Sequence, residues 1–184
     1  EGTKLFLKGR RCLTEKCGLA KRGYPPGMKG ARPNFRKSNY KVQLREKQKV
    51  KRFYGLRERQ FLNTFEKAAQ RKGITGENLL QTLELRLDNV VYRMNLAYSR
   101  AHARQMIRHG MLAVNGHKVT IPSYVTKLND EIVLREKYKN NEHIKAMLDG
   151  LKGLVEVPGW LLVNLETMSG KINALPKREN VSLE

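Results

Sequence analysis

Residues 83–116 read LELRLDNVVYRMNLAYSRAHARQMIRHGMLAVNG, and this stretch decides the fold. Its apolar residues recur at the spacing of one helical face, which predicts a helix: Leu83, Leu87, Val90, Val91 and Met94. Ser99 can cap a second, short helix that ends before Gly110, with Ala103, Met106 and Ile107 on its inner face. Asn-Gly at 115–116 then predicts a two-residue hairpin turn, because both turn positions need a positive φ. The stretch therefore predicts a helix pair followed by a small sheet.

The flanking segments extend this pattern in both directions. Downstream, the residue pattern predicts a third strand over 131–135, a helix over 141–151 and a hairpin-like pair over 160–174. Upstream, Ser38 can cap a basic helix over 39–53, and a further helix over 56–72 ends at Gly73. Residues 1–37 lack a sustained period and contain Gly/Pro breaks, which predicts an extended basic arm. The predicted fold class is α+β.

Positive charge is concentrated at the start of the chain. The 184 residues have a net charge of +20, yet residues 1–60 contain 19 Lys+Arg against four Asp+Glu, whereas residues 61–184 contain 18 against 13. Such an excess favours a polyanionic partner. No stretch approaches the ~18 apolar residues of a membrane span, and the basic helix lacks a broad apolar face for insertion. We therefore predict a nucleic-acid partner and no membrane partner.

The second helix carries arginines at a regular spacing. Arg100, Arg104 and Arg108 lie four apart and hence on one predicted face. Arg86, Arg93 and Lys118 can join them, and the planar guanidinium group suits phosphate oxygens. The alternative is a solvated face paired with carboxylates. Only Asp88 lies between Arg86 and Lys118, so the pattern favours nucleic-acid contact.

The sequence contains little that points to catalysis or to a complete metal site. It has no Walker loop, no GxGxxG and no GxSxG, and Ser38 to Lys41 matches SxxK without its partner motifs. We therefore predict that the protein is not an enzyme and needs no cofactor. Cys12 and Cys17 could supply half of a zinc site, which would need two upstream ligands to complete a tetrahedral shell. Two cysteines and no signal segment favour a reducing, cytoplasmic location, and we expect native residues beyond both ends.

Several motifs together resemble a known family. Residues 85–93 (LRLDNVVYR), 99–100 (SR), 114–116 (VNG) and 122–124 (PSY) resemble the S4 RNA-binding module. Residues 24–27 (YPPG), 43–49 (QLREKQK) and 159–161 (GWL) extend the resemblance to the bacterial-type ribosomal protein S4 family, across essentially the whole chain.

This resemblance implies a structural constituent of the small ribosomal subunit. Family members bind the 5′ domain of 16S-type rRNA, nucleate assembly, line the mRNA entry channel, influence translational accuracy and meet small-subunit protein five. The implied layout is an arm over 1–37, a helical domain over 38–83 plus 175–184, and an inserted α/β domain over 84–174. The module lies at about 85–138.

The residue patterns and the resemblance together indicate which residues contact RNA. Those expected at rRNA are Lys8, Arg10, Arg11, Arg22, Tyr24, Tyr40, Arg45, Lys47, Lys49, Lys51, Arg52, Arg59, Arg86, Arg93, Arg100, Arg104, Arg108, His109, Lys118 and Tyr124. Those expected at the mRNA entry channel are Arg32, Arg36 and Lys37.

Two alternative functions share the same module. An RNA-modifying enzyme would need a catalytic domain, but only 46 residues follow Tyr138, fewer than the ~100 of a usual domain. A stand-alone RNA-binding protein would leave the basic arm and helix unexplained.

Overall fold

The computed structural model describes residues 1–24, 27, 38–151 and 156–181. Its helices are α1 (Gly18–Lys21), α2 (Asn39–Phe53), α3 (Glu58–Ala69), α4 (Thr75–Glu84), α5 (Leu87–Arg93), α6 (Arg100–Arg108), α7 (Glu136–Lys139) and α8 (Glu142–Asp149). Its strands are β1 (Leu112–Val114), β2 (His117–Lys118), β3 (Glu131–Leu134), β4 (Leu161–Asn164) and β5 (Ser169–Ile172). Single 3₁₀ turns lie at Gly9–Cys12 and Arg178–Asn180. The predicted α+β class is confirmed.

The strands form one antiparallel sheet in the order β2-β1-β3-β5-β4. The predicted Asn-Gly hairpin is present: Val114 pairs with His117, and Asn115 and Gly116 adopt φ values of 49° and 80°. The Asn115 amide also donates to Asp130 at 2.8 Å and accepts from the Glu131 N–H at 2.9 Å, which ties the turn to β3. The predicted third strand and the 160–174 pair are confirmed as well.

The larger hydrophobic core lies between the sheet and helices α5, α6 and α8. Ala103, Met106 and Ile107 of α6 are buried, as the sequence predicted. They pack in one cluster with buried residues of the sheet and of α8: Leu112, Val114, Ile132, Leu134, Ile172, Ile144, Met147 and Leu148. This packing fixes α6, so its outer face is held in place for contacts with a partner.

The apolar stripe over 83–94 does not form one continuous helix, which corrects the prediction. α4 ends at Glu84 and α5 begins at Leu87, while Arg86 is extended with φ −65° and ψ 135°. The reason lies about forty residues away. The Leu87 N–H donates to the Tyr124 carbonyl at 2.8 Å, and the Leu85 carbonyl accepts from the Thr126 N–H at 2.9 Å. These bonds to the 124–126 loop replace helical ones.

Helices α2, α3 and α4 form a second, smaller core. Ser38 caps α2 by accepting from the Lys41 N–H at 3.2 Å, as predicted. α3 ends at Ala69, a few residues before Gly73, and α4 is a helix that the sequence analysis missed. The buried members of this core are Phe53, Tyr54, Leu56, Phe61 and Leu83. Arg178 and Val181 line an apolar groove on these helices, so the described C-terminal segment lies beside them.

The described part of the arm is not extended throughout, which corrects that expectation. It forms a 3₁₀ turn at Gly9–Cys12 and the short helix α1. Leu5 packs against the smaller core, and Cys17 is buried. The Glu1 carboxylate lies 3.1 Å from Arg52 and 3.8 Å from Arg45 on α2. The arm is therefore attached to α2 through apolar contact and ion pairs.

Candidate nucleic-acid interface

A basic cleft of about 830 Å³ lies between the start of α3 and the outer face of α6. One side comes from the turn after α2 and from α3, the other from α6, and the loop over 120–123 also contributes to the lining. Its lining residues are Gly55, Arg57, Gln60, Arg86, Ala101, Arg104, Gln105, Arg108, His109, Thr120, Ile121, Pro122 and Ser123. Among the described residues that line it are four arginines and no carboxylate, so the cleft suits an anionic partner.

The rim of the cleft presents donors to solvent. Arg57, Arg108 and His109 are exposed on opposite sides, and Lys118 is exposed in the neighbouring strand β2. Thr120 and Ser123 add hydroxyl groups from the loop. Guanidinium groups bind phosphate oxygens in bidentate fashion, and hydroxyl and amide groups commonly contact phosphate and sugar. The rim can therefore hold a nucleic-acid backbone.

A buried carboxylate organises the arginines deeper in the cleft. The Asp88 side chain is 2% exposed and accepts two hydrogen bonds from Arg86, at 3.1 and 2.9 Å. It also accepts from Arg104 Nε at 2.7 Å. Arg104 donates through its other nitrogens to the Tyr54 and Gly55 carbonyls. Because a buried carboxylate is costly without partners, Asp88 and the two arginines stabilise one another.

A second buried network surrounds Glu84, whose side chain is fully buried. Its oxygens accept from the Tyr54 hydroxyl at 2.6 Å, Asn89 at 2.7 Å and Arg93 at 2.9 and 3.1 Å. Burial alone would raise the pKa of Glu84, but the charge and hydrogen bonds of Arg93 hold this pKa below its ordinary value. Burial, reinforced by the Glu84 charge, raises the pKa of Tyr54 well above its usual range. Glu84 is therefore charged and Tyr54 neutral near pH 7.

Arg100 lies in an aromatic cage beside this network. Its guanidinium carbon is 3.9 Å from the ring centre of Phe53 and 4.5 Å from that of Tyr92, and Nε donates to Asn89 Oδ1 at 2.8 Å. Nη2 has no hydrogen-bond partner among the described residues. Burial and the nearby Arg93 charge lower the pKa of Arg100 to about 10. The side chain thus remains charged at neutral pH, stabilised by the ring faces.

Three of the arginines predicted to contact nucleic acid are buried in the structure. Arg86, Arg93 and Arg100 are only 8%, 6% and 7% exposed, and their guanidinium groups contact protein. The carboxylate that pairs with Arg93 is Glu84, which lies two residues before Arg86 and so outside the stretch from Arg86 to Lys118. The basic cleft also contains Arg57, Gln60 and Gln105, which are not among the residues expected to contact RNA. The capping contact of Gln60 with the Arg57 N–H, at 3.3 Å, is the local feature that marks this turn.

Five cations of α2 are exposed or half-buried and are paired with carboxylates in the structure. Glu58 accepts from Lys47 and Lys51, and these hydrogen bonds lower the pKa of Glu58 to about 2. Lys49 pairs with Glu46 at 3.1 Å. With the Glu1 pairs described above, these contacts give α2 intramolecular counter-ions that the sequence analysis did not foresee. Exposed pairs of this kind are weak and can be exchanged for phosphate contacts.

The remaining predicted contacts occupy varied positions. Exposed on the described surface are Lys8, Arg10, Arg11, Arg22, Tyr24, Tyr40 and Arg59. Tyr124 is half-buried against the larger core. Arg32, Arg36 and Lys37 lie outside the described residues. Contact of the exposed residues with RNA stays a prediction.

Cys12 and Cys17 are free thiols near the start of the chain. The backbone N–H groups of Ala20 and Leu19 lower the pKa of the Cys17 thiol, and Cys12 Sγ accepts from the Lys8 N–H at 3.3 Å. A lowered thiol pKa is compatible with a thiolate ligand. Within the described ranges, however, no three His, Cys, Asp or Glu side chains come together as a metal site.

Two family models divide the chain at the junction of α4 and α5. Residues 1–84 match the ribosomal protein S4/S9 N-terminal domain, and residues 85–132 match the S4 domain. The small ribosomal subunit protein uS4 of Acetivibrio thermocellus is 54% identical over the whole chain and 87% of its own length. The chain belongs to the ribosomal protein S4 family. The uS4 protein of Thermus thermophilus is 50% identical over 183 residues, with the same coverage, and that of Solibacter usitatus is 51% identical over 181 residues, covering 98% of this chain and 86% of the relative.

Membership of the S4 family decides whether the chain is an enzyme. Ribosomal proteins of this family are structural rather than enzymatic, which confirms the predicted lack of catalysis.

The basic cleft contains residues of both matched domains: Gly55, Arg57 and Gln60 from the N-terminal domain, and the rest from the S4 domain. In the described parts of the chain, no helix is both long and apolar enough to span a membrane.

Proposed function

We propose that this protein is a structural constituent of the small ribosomal subunit that binds 16S-type rRNA in the basic cleft. The observation that carries the proposal is a cleft shared by two S4-family domains, with Arg57 and Arg108 exposed on its rim and no carboxylate among the described lining residues. The S4 domain is an RNA-binding module, and the closely similar relatives are named as small-subunit proteins.

The rim cations act as phosphate contacts in this proposal. Arg57 and Arg108 neutralise backbone phosphates from the two sides of the cleft, and Lys118 extends the contact along β2. The α2 cations extend the same electropositive surface once RNA phosphates replace Glu58 and Glu1 as partners. Neutralising several phosphates releases counter-ions, so affinity falls steeply with salt concentration.

The test measures binding of the full chain to an rRNA fragment across a salt series. The probe is the 5′ domain of bacterial 16S rRNA, and the control is an unrelated structured RNA of equal length. We expect tighter binding to the 5′ domain and a log–log salt slope of several units, at up to ~0.9 per neutralised phosphate. Equal affinity for the two RNAs, or an affinity independent of salt, would reject the proposal.

The finer assignments rest on the family resemblance. They are nucleation of assembly on the 5′ domain, an effect on translational accuracy, contact with small-subunit protein five, and mRNA contact through Arg32, Arg36 and Lys37. Crosslinking in reconstituted small subunits tests both partners: peptides containing residues 32–37 should crosslink to mRNA, and protein five should be recovered as a neighbour. Subunits that incorporate the chain without either crosslink would reject these two contacts.

We propose that RNA binding needs no cofactor. Cys12 and Cys17 would hold zinc only with two further ligands from outside the described residues, because two thiolates leave a tetrahedral shell half filled. Prolonged treatment with a strong chelator should therefore leave rRNA affinity unchanged. A loss of affinity that added zinc restores would contradict this proposal.

A further inference from the structure

Arg104 points into the protein rather than out of the basic cleft. All three guanidinium nitrogens are engaged: Nε donates to Asp88 at 2.7 Å, Nη1 to the Gly55 carbonyl at 2.8 Å, and Nη2 to the Tyr54 carbonyl. Its side chain is 28% exposed, against 2% for Asp88. A guanidinium group occupied in this way has little left to offer a phosphate.

Both partners of Arg104, the Gly55 turn and Asp88, favour these hydrogen bonds. Gly55 has φ +62°, and a Cβ added there would lie 2.8 Å from Arg104 Nη1 and 3.3 Å from Nη2, so a side chain at this position would displace the guanidinium group. At the other end, the paired hydrogen bonds from Arg86 hold Asp88 in place. Arg104 is thus clamped between a buried carboxylate of α5 and the turn that joins α2 to α3.

The turn between α2 and α3 sets the position of one side of the basic cleft. α2 ends at Phe53, and α3 begins at Glu58 directly after Arg57. The other side of the cleft is α6, which carries both Arg104 and Arg108. A bond from α6 to the Tyr54–Gly55 backbone therefore fixes the distance between the rim cations of the two matched domains.

We propose that Arg104 is a positioning residue, which aligns α2 and Arg57 with Arg108 so that RNA meets both sides of the cleft in one prearranged geometry. This inference rests on the proposed rRNA-binding function. Holding two contact surfaces at the correct spacing raises affinity without a new contact, because RNA binding then need not order them. Lysine cannot replace Arg104, since one nitrogen cannot serve Asp88 and two carbonyls in a planar fork.

The experiment compares two variants that loosen the clamp without changing charge, Arg104→Lys and Gly55→Ala. Arg108→Lys is the matched control for the couplings, and Arg178→Lys, at a residue outside the basic cleft, is the matched control for rRNA affinity. Residual dipolar couplings of backbone amides, measured on the free protein, report whether α2–α3 and the sheet share one alignment tensor. Affinity for the 5′-domain rRNA is measured in parallel, at a temperature where the amide spectra show every variant folded.

We expect wild type and Arg108→Lys to fit one tensor, and each clamp variant to need two. Both clamp variants should bind rRNA about tenfold more weakly, while the double variant is no weaker than the worse single one, because both changes break the same connection. Wild-type affinity in Arg104→Lys, additive losses in the double variant, or one tensor in both clamp variants would overturn the proposal. If Arg104→Lys does not fold, Gly55→Ala decides by the same criteria.

Failure of the two proposals is distinguishable. The couplings are measured without RNA and test the clamp directly. Wild-type protein that does not prefer the 5′-domain rRNA would reject the proposed function, whatever tensor the couplings give.

Discussion

Arg93 and Arg100 lie within the protein at 6% and 7% exposure, whereas Arg57 and Arg108 stand exposed on the rim of the basic cleft. The buried pair contacts Glu84, Asn89 and aromatic rings, while the rim pair faces a cleft whose described lining contains no carboxylate. The same residue type therefore forms a buried frame, Arg93 and Arg100, in one region and is available for the proposed phosphate contacts in the other. What separates the two roles is a carboxylate, amide or ring that only the fold brings near.

The largest expected difference between these regions is in stability. Arg93→Met would leave the Glu84 carboxylate buried without its charge partner, and breaking such a pair costs about 3–5 kcal/mol. Arg108→Met removes an exposed charge and should change the free energy of unfolding by no more than about 0.5 kcal/mol. Urea denaturation of both variants measures the difference. Equal losses in the two variants would remove the distinction between frame and rim.

The loss of stability in Arg100→Met should lie between those of Arg93→Met and Arg108→Met. Arg100→Met loses the hydrogen bond to Asn89 and the attraction of the Phe53 and Tyr92 rings, but it leaves no carboxylate unpaired. Loss of a charged hydrogen bond costs about 1.5–3 kcal/mol. The same denaturation series tests this ranking. A cost above that of Arg93→Met would show that the aromatic cage, rather than Glu84, dominates the buried region.

Substitution of a rim arginine should change the salt dependence of rRNA affinity rather than the stability of the protein. Arg108→Gln removes one predicted phosphate contact, so the log–log slope of rRNA affinity against salt should fall by about 1. Its matched control is Arg178→Gln, another arginine to glutamine change, at a residue that lines the apolar groove rather than the basic cleft. That control should leave the slope unchanged. Identical slopes for wild type and Arg108→Gln would mean that Arg108 does not contact phosphate.

The smallest effect concerns the counter-ions of α2. The pKa of Glu58 is about 2 in the folded chain and near 4.5 when unpaired, so its contribution to stability is present above pH 4.5 and lost as the pH falls toward 2. Glu58→Gln should flatten the acid limb of the stability profile slightly, and high salt should erase the difference because the pair is exposed. Unfolding curves between pH 2 and 6 measure it. An unchanged acid limb in Glu58→Gln would contradict the assignment.

Local features of the fold could be predicted from the sequence, because their causes lie within a few residues. Ser38 and Ser99 each cap a helix by accepting a hydrogen bond from the backbone N–H three residues later. Asn115 and Gly116 close a hairpin because both adopt the positive φ that its turn requires. The break between Leu85 and Leu87 could not be predicted in this way. It depends on hydrogen bonds to residues 124–126, which the apolar period over 83–94 does not encode.

The candidate site also combines local features, which could be predicted from the sequence, with contacts between distant residues, which could not. That α6 is basic and belongs to an RNA-binding module could be predicted from the arginine spacing and the family motifs. Which arginines face outward could not, because helical spacing does not record that Arg93 reaches back to Glu84 or that Arg104 reaches across to Gly55. These pairs are 9 and 49 residues apart.

Arginine footprinting tests the division between frame and rim most directly. The folded protein is treated with an arginine-specific dicarbonyl reagent, free and saturated with 5′-domain rRNA, and modification of each arginine is followed by mass spectrometry. We predict rapid modification of Arg57 and Arg108 in the free protein, protection of both by rRNA, and little modification of Arg93 and Arg100 in either state. Arg93 or Arg100 reacting as fast as Arg108 in the free protein, or Arg108 staying reactive under saturating rRNA, would contradict the account.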